Sequence, residues 1–250
     1  MNEIFGTKHI IILIISAILI VGLFLLSKKL KFEKLCKILF YVGIISEIVK
    51  IVCYIVINED KFGGFLPKTD LPFQLCSIQI IFISIVCFAN NEKIKRFLLS
   101  FMLPSCLCGG IAAILIATNS SLNNWVITFQ YFLYHIALVV FALNLLVSKE
   151  LKLDIKDYAN CFKFLLLLFF FAIYINSMLY DGVSNINFMY VVKPPQSGLP
   201  FLNDDNGWLV YIIHYAITIF VCVSLCYIKP IINAIKNKKS NTLNKPEESN

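Results

Sequence analysis

An all-α bundle of seven membrane-crossing helices is the fold this sequence predicts, and three observations lead to it. Hydrophobic residues make up 59% of the 250 positions and the mean hydropathy is +0.80, too apolar for a chain that keeps a water-facing surface. The apolar residues gather into seven runs, 9–27, 38–57, 72–90, 97–118, 125–148, 160–179 and 208–228, each near the roughly 20 residues that carry a helix across the hydrocarbon layer. The 22 basic residues then alternate with those runs. Seventeen lie in 28–37, 93–96, 149–163 and 229–245, four (Lys8, Lys61, Lys68 and Lys193) lie in the other connecting segments, and Lys50 is inside a span. By the positive-inside rule this asymmetry places the N-terminus outside and the C-terminus in the cytoplasm of a multi-pass cell-membrane protein. The net charge of +7 reads as orientation, so no nucleic-acid partner is expected.

The nine cysteines sit mostly in or beside apolar runs and form no C-x-x-C pair, so no disulfide framework, metal site or cofactor is expected. Cys106 and Cys108 would point about 200° apart on one helix, a poor clamp for a metal. Residues 1–228 form the membrane domain. Residues 229–250, rich in Lys and Asn, form a basic cytoplasmic tail expected to be disordered beyond its first turns.

In chain order, the first span is apolar on every face, longer than a signal-peptide core and without an Ala-x-Ala-like cleavage site, so it reads as a retained anchor. The second buries Glu47 and Lys50, three residues apart on one face. Each charge costs about 2.5–3.5 kcal/mol near mid-membrane, so the two are expected to compensate each other, as a packing salt bridge or as the polar wall of a site. Pro72 is suited to the first turn of the third span, which carries Gln74, Cys76, Ser77 and Gln79 where a lipid-facing helix would have Leu or Val. In the fourth, Pro104 predicts a kink and Gly109-Gly110 a close helix approach. The fifth reads Gln130-Tyr131-Phe132-Leu133-Tyr134-His135, with polar groups stacked at i, i+4. The sixth ends in Tyr174, Asn176 and Ser177. The loop after it, 180–207, is rich in aromatics and prolines and reads as a structured lid. Tyr211, His214, Tyr215 and Thr218 share a polar side of the seventh span.

Counting about 1.5 Å per residue from the outer ends puts Cys76 roughly 6 Å deep, His214 about 9 Å and His135 about 15 Å, so the polar groups collect in the outer half of the bundle. A thiol needs a base or cation to become a nucleophile, and either histidine could serve. The bland alternatives are packing roles for the cysteine and cross-helix hydrogen bonds for the histidines.

The run Leu71-Pro72-Phe73-Gln74-Leu75-Cys76, the His135 segment, and Asn187-Phe188-Met189-Tyr190 followed by Lys193-Pro194 resemble the YwaF-type integral membrane proteins of bacteria, which look like relatives of the eukaryotic Transmembrane protein 164 lipid acyltransferases. The resemblance implies a catalytic pair at Cys76 and His135. Phe73 and Gln74 stand where relatives often carry Leu and His. It further implies a membrane-embedded lipid acyltransferase working through a thioester, with phospholipid or lysolipid as partner. Gln74, Gln130 and Tyr134 are expected near the reacting carbonyl, and Asn187, Tyr190, Glu47, Lys50 and His214 around the substrate. A small-molecule transporter or binding subunit with a polar pocket, or a non-catalytic membrane protein, is the alternative.

Overall fold

A computed structural model describes residues 5–57, 63–117, 124–148, 151–196, 199 and 201–243. Among these, eight helices follow one another: α1 (Thr7–Ser27), α2 (Phe32–Val52), α3 (Leu75–Phe88), α4 (Glu92–Leu115), α5 (Trp125–Val147), α6 (Ile155–Leu179), α7 (Trp208–Cys226) and α8 (Ile228–Leu243). A π-turn, Cys53–Ile57, extends α2, and 3-10 turns occur at Lys68–Asp70 and Phe188–Tyr190. The described residues form an all-helical membrane fold. Six helices are long and apolar enough to cross a bilayer, and α3 is a shorter apolar helix of 14 residues.

Helix ends follow capping chemistry more closely than apolarity. Asn91 accepts from the N–H groups of Lys93 and Ile94, so α4 begins before its apolar run. Asp154 and Asp157 form a capping box that starts α6 at Ile155, and Arg96 ties both carboxylates to α4 at 3.3 and 2.7 Å. Pro72 does not open α3. It lies in a turn in which the Phe73 N–H donates to Leu71 O, and Gln74 stays extended, so winding begins at Leu75. Past Cys226 the chain continues as α8 to Leu243, and residues 244–250 of the tail lie outside the described set.

α4 and α5 make the most extensive helix pair and occupy the middle of the bundle, while α1 and α7 present mostly lipid-facing side chains. Lipid is as apolar as leucine, so close packing and polar ties have to hold such helices together. Gly110 allows the α4–α5 approach: a Cβ there would lie 2.8 Å from Val139 Cγ2 and 3.3 Å from the backbone O of His135. Gly109 has open space instead. Phe82, Phe101 and Phe164 pack edge-to-face around the α3–α4–α6 contact. α1 carries polar ties at both ends. His9 accepts from the Phe5 N–H through Nδ1 and so donates through Nε2 to Ile114 O, and Asn144 donates to Ser27 at 2.7 Å.

Pro104 lies inside α4 and has no N–H to give to the carbonyl four residues back, Ser100 O. The hydroxyl of Tyr227, a fully buried side chain at the α7–α8 junction, fills that vacancy at 2.9 Å. Tyr227→Phe is therefore expected to cost about 1–3 kcal/mol, read as thermal unfolding in detergent, by leaving a buried carbonyl unpaired. In a Pro104→Ala background, where a helical N–H returns, the same substitution should cost less. An equal cost in both backgrounds would contradict the pairing.

Candidate functional site

The polar residues collect at the end of the bundle formed by segments 63–74 and 180–196. Lys50 sits on the last turns of α2, with its Nζ 2.7 Å from Glu47 and donating to Asp70 O at 2.9 Å. The two charges expected to compensate each other do so, and Lys50 also anchors the 68–70 turn. The Tyr54 hydroxyl reaches the carboxylate of the same Asp70.

The segment 187–193 enters between the helices and buries Phe188, Met189 and Val191. Buried backbone amides and carbonyls need partners, and here side chains supply them. Gln74 accepts from Met189 N–H at 2.8 Å and donates to Asn187 O at 3.2 Å. Asn176 of α6 accepts from Phe188 N–H at 2.7 Å and donates to Phe188 O at 3.0 Å. From α7, Trp208, Tyr211 and Tyr215 donate to Val191 O, Tyr190 O and Met189 O respectively. Asn187 closes the segment on itself, accepting from Val192 and Lys193 N–H and donating to Lys193 O. The clamp holds Met189 and Tyr190 at φ 54° and 52°, a left-handed conformation that costs a non-glycine residue about 1–2 kcal/mol.

Cys76 occupies the second position of α3, in its first turn. Its thiol lies beside the N–H and hydroxyl of Ser77 and within electrostatic reach of Lys50, Tyr131, Tyr134 and Tyr190. Tyr134 of α5 donates to the Cys76 carbonyl at 2.7 Å, which fixes the two helices side by side. Burial pushes the Tyr190 phenol well above its ordinary range, so it stays protonated.

His135, the next residue after Tyr134, is 3% exposed, with its ring 4.3 Å from that of Tyr131. Its Nδ1 lies 2.7 Å from Tyr131 O. A carbonyl only accepts, so Nδ1 carries the hydrogen and Nε2 keeps its lone pair. Among the described residues no hydrogen bond joins the Cys76 thiol to either imidazole. His214 stacks on Phe201 at 4.7 Å, and among the described residues its buried Nδ1 has no hydrogen-bond partner. Tyr211 and Tyr215, which sequence spacing put on one side with His214, turn to the 187–193 segment instead.

Several residues expected at the substrate have their polar groups engaged. Gln74 spends its amide on two backbone groups, Gln130 donates to Ser46 of α2, and Tyr134 donates to Cys76 O. Asn176, Tyr131, Tyr211 and Tyr215 were not expected as part of the site. Their signal was a polar residue at helical spacing near a span end, which does not by itself distinguish a backbone clamp from a packing contact.

Fold and polar end together define a multi-pass helical membrane protein with a half-buried cysteine and a buried histidine at one end of the bundle. The family model described as the TMEM164 family matches residues 4–227, and the chain belongs to that family. No curated protein and no solved structure matches it.

Two outcomes test this geometry. Gln74→Leu should speed amide hydrogen exchange at Met189 by about 10-fold or more, since that N–H loses its only described acceptor; unchanged exchange would refute the clamp. At the rim, Lys68 hydrogen-bonds Asp181 at 2.8 Å and, with donors from Ser184 and Val183, holds its carboxyl well below the ordinary 3.8. A depressed carboxyl contributes fully above its unfolded value and is lost only as pH falls through the folded one. The Asp181 carboxyl resonance should therefore still be that of the ionised form at pH 3.8, and half-protonation there would contradict it.

Proposed function

We propose that this protein is a membrane-embedded lipid acyltransferase in which Cys76 is the nucleophile and His135 its base, with the polar end of the bundle facing the outside of the cell membrane. Membership of the TMEM164 family supports the reading, as do the short motifs around Cys76, His135 and Asn187 that resemble YwaF-type proteins. The observation that carries it is the 2.7 Å bond from Tyr134 to the Cys76 carbonyl. It ties the residue preceding His135 to the nucleophile's own turn, and among the described residues no comparable contact ties His214 there.

The chemistry divides into two transfers. Nε2 of His135 takes the thiol proton as Cys76 Sγ attacks the ester carbonyl of an acyl lipid, forming a C–S bond. The C–O bond then breaks, and the departing lysolipid oxygen takes the proton back from the imidazolium. In the return step an acceptor hydroxyl gives its proton to Nε2 and attacks the thioester, so a C–O bond forms, C–S breaks and the thiolate is reprotonated. Neither metal nor nucleotide takes part in these steps.

The N–H of Ser77, the α3 N-terminus and the Lys50 ammonium are the groups in reach that favour a thiolate at Cys76. The phenol of Tyr190, held inward by the clamp, is a candidate donor to the carbonyl oxygen as it gains charge. Glu47 and Lys50 are consumed by each other and by Asp70 O, which leaves a transporter with an open charged pocket less supported.

With equal protein in the membrane, Cys76→Ala should lower acyl transfer by at least about 10³-fold and His135→Ala by roughly 10²–10⁴-fold, while His214→Ala stays within about 3-fold. Wild-type transfer by Cys76→Ala would rule the mechanism out.

A further inference from the structure

A second polar surface lies apart from Cys76, in an open groove between the end of α6, the 184–193 segment and the start of α7. Neither Cys76, His135, Lys50 nor Tyr190 lines it. Lys193 does, half-buried, with no carboxylate or carbonyl bonded to its ammonium among the described residues. The amide of Asn185 and the phenol of Tyr180 line the same groove and are likewise unbonded among the described residues. Three donors, one of them a cation and the other two exposed, thus share an open cleft whose nearest described carboxylate, Asp181 beside Ser184, is already paired with Lys68. Trp208 forms the far wall, its indole N–H fixed to Val191 O and its ring half-exposed, as suits the membrane interface.

Below the groove the surface turns apolar. Phe170 and Tyr174 lie at i−7 and i−3 from the groove residue Ser177, so one exposed face of α6 leads from the donors down the span. A cation with neutral donors at the head of an apolar track is complementary to an anionic amphiphile. We infer that this groove binds a phospholipid, with its phosphate on Lys193, Asn185 and Tyr180 and an acyl chain along Phe170 and Tyr174. A half-buried lysine is a stronger phosphate partner than a solvated one, because less water competes for it.

The test uses full-length protein carrying Cys76→Ser, so that occupancy is independent of the acyl-transfer reading. Native mass spectrometry from detergent would compare phosphatidylglycerol with diacylglycerol of the same chains, with and without millimolar inorganic phosphate. The expected result is at least about a 10-fold preference for phosphatidylglycerol, lost in Lys193→Ala, kept in Lys193→Arg and unaffected by inorganic phosphate. Ser177→Trp, which fills the groove from its α6 wall and removes no clamp hydrogen bond, should remove the preference as well, and it decides the matter if Lys193→Ala fails to fold. An undiminished preference in both Lys193→Ala and Ser177→Trp would overturn the site. Displacement of the lipid by inorganic phosphate would overturn its assignment to a lipid.

Discussion

A membrane interior offers no water to an unpaired backbone amide, and that constraint organises the polar end of this molecule. The segment 187–193 runs among the helices without a helix's own ladder of bonds. Gln74, Asn176, Trp208, Tyr211 and Tyr215 serve as that ladder, reaching in from the residue before α3, from α6 and from α7 to hold Asn187 through Val191. With those bonds in place the left-handed turn at Met189 and Tyr190 is held, and it keeps Tyr190 close to Cys76. The same rule acts in α4, where Tyr227 answers the carbonyl that Pro104 leaves open.

The site inherits its geometry from this accounting. Tyr134 pins α5 to the first turn of α3, Gly110 lets α4 close on α5 at the level of His135, and Tyr131 sets the tautomer of that histidine with its backbone oxygen. Each contact is structural taken alone. Together they set a histidine whose Nδ1 is engaged on the helix that flanks the half-buried Cys76.

Much of the fold was legible in the sequence because a membrane span is a long, one-dimensional signal. Run length and basic-residue alternation place the helices without knowledge of their contacts. The ends were less legible: Asn91 and Asp154 start helices outside the apolar runs, and Gln74 is drawn into a distant loop, which moves the start of α3 past Pro72 to Leu75. The Glu47–Lys50 pair could be read from its spacing, since two isolated charges in lipid have few other ways to be satisfied. The roles of Gln74, Asn176 and Tyr215 could not, because their partners are backbone atoms in the 187–193 segment, and a backbone acceptor leaves no mark on sequence spacing. His214 shows the same limit. It shares a helix face with Tyr211 and Tyr215 at low resolution, yet 100° of rotation between neighbours sends it to Phe201 instead.

The central claim is that Cys76 differs chemically from the other cysteines because of where His135 sits. The direct measurement is the alkylation rate of each cysteine by a lipid-tailed chloroacetamide, read by peptide mass spectrometry in the wild type and in His135→Gln. The account predicts that Cys76 reacts faster than buried thiols such as Cys161 and that most of this advantage disappears in His135→Gln. A Cys76 that labels no faster than Cys161, or that labels equally with and without the imidazole, would contradict it.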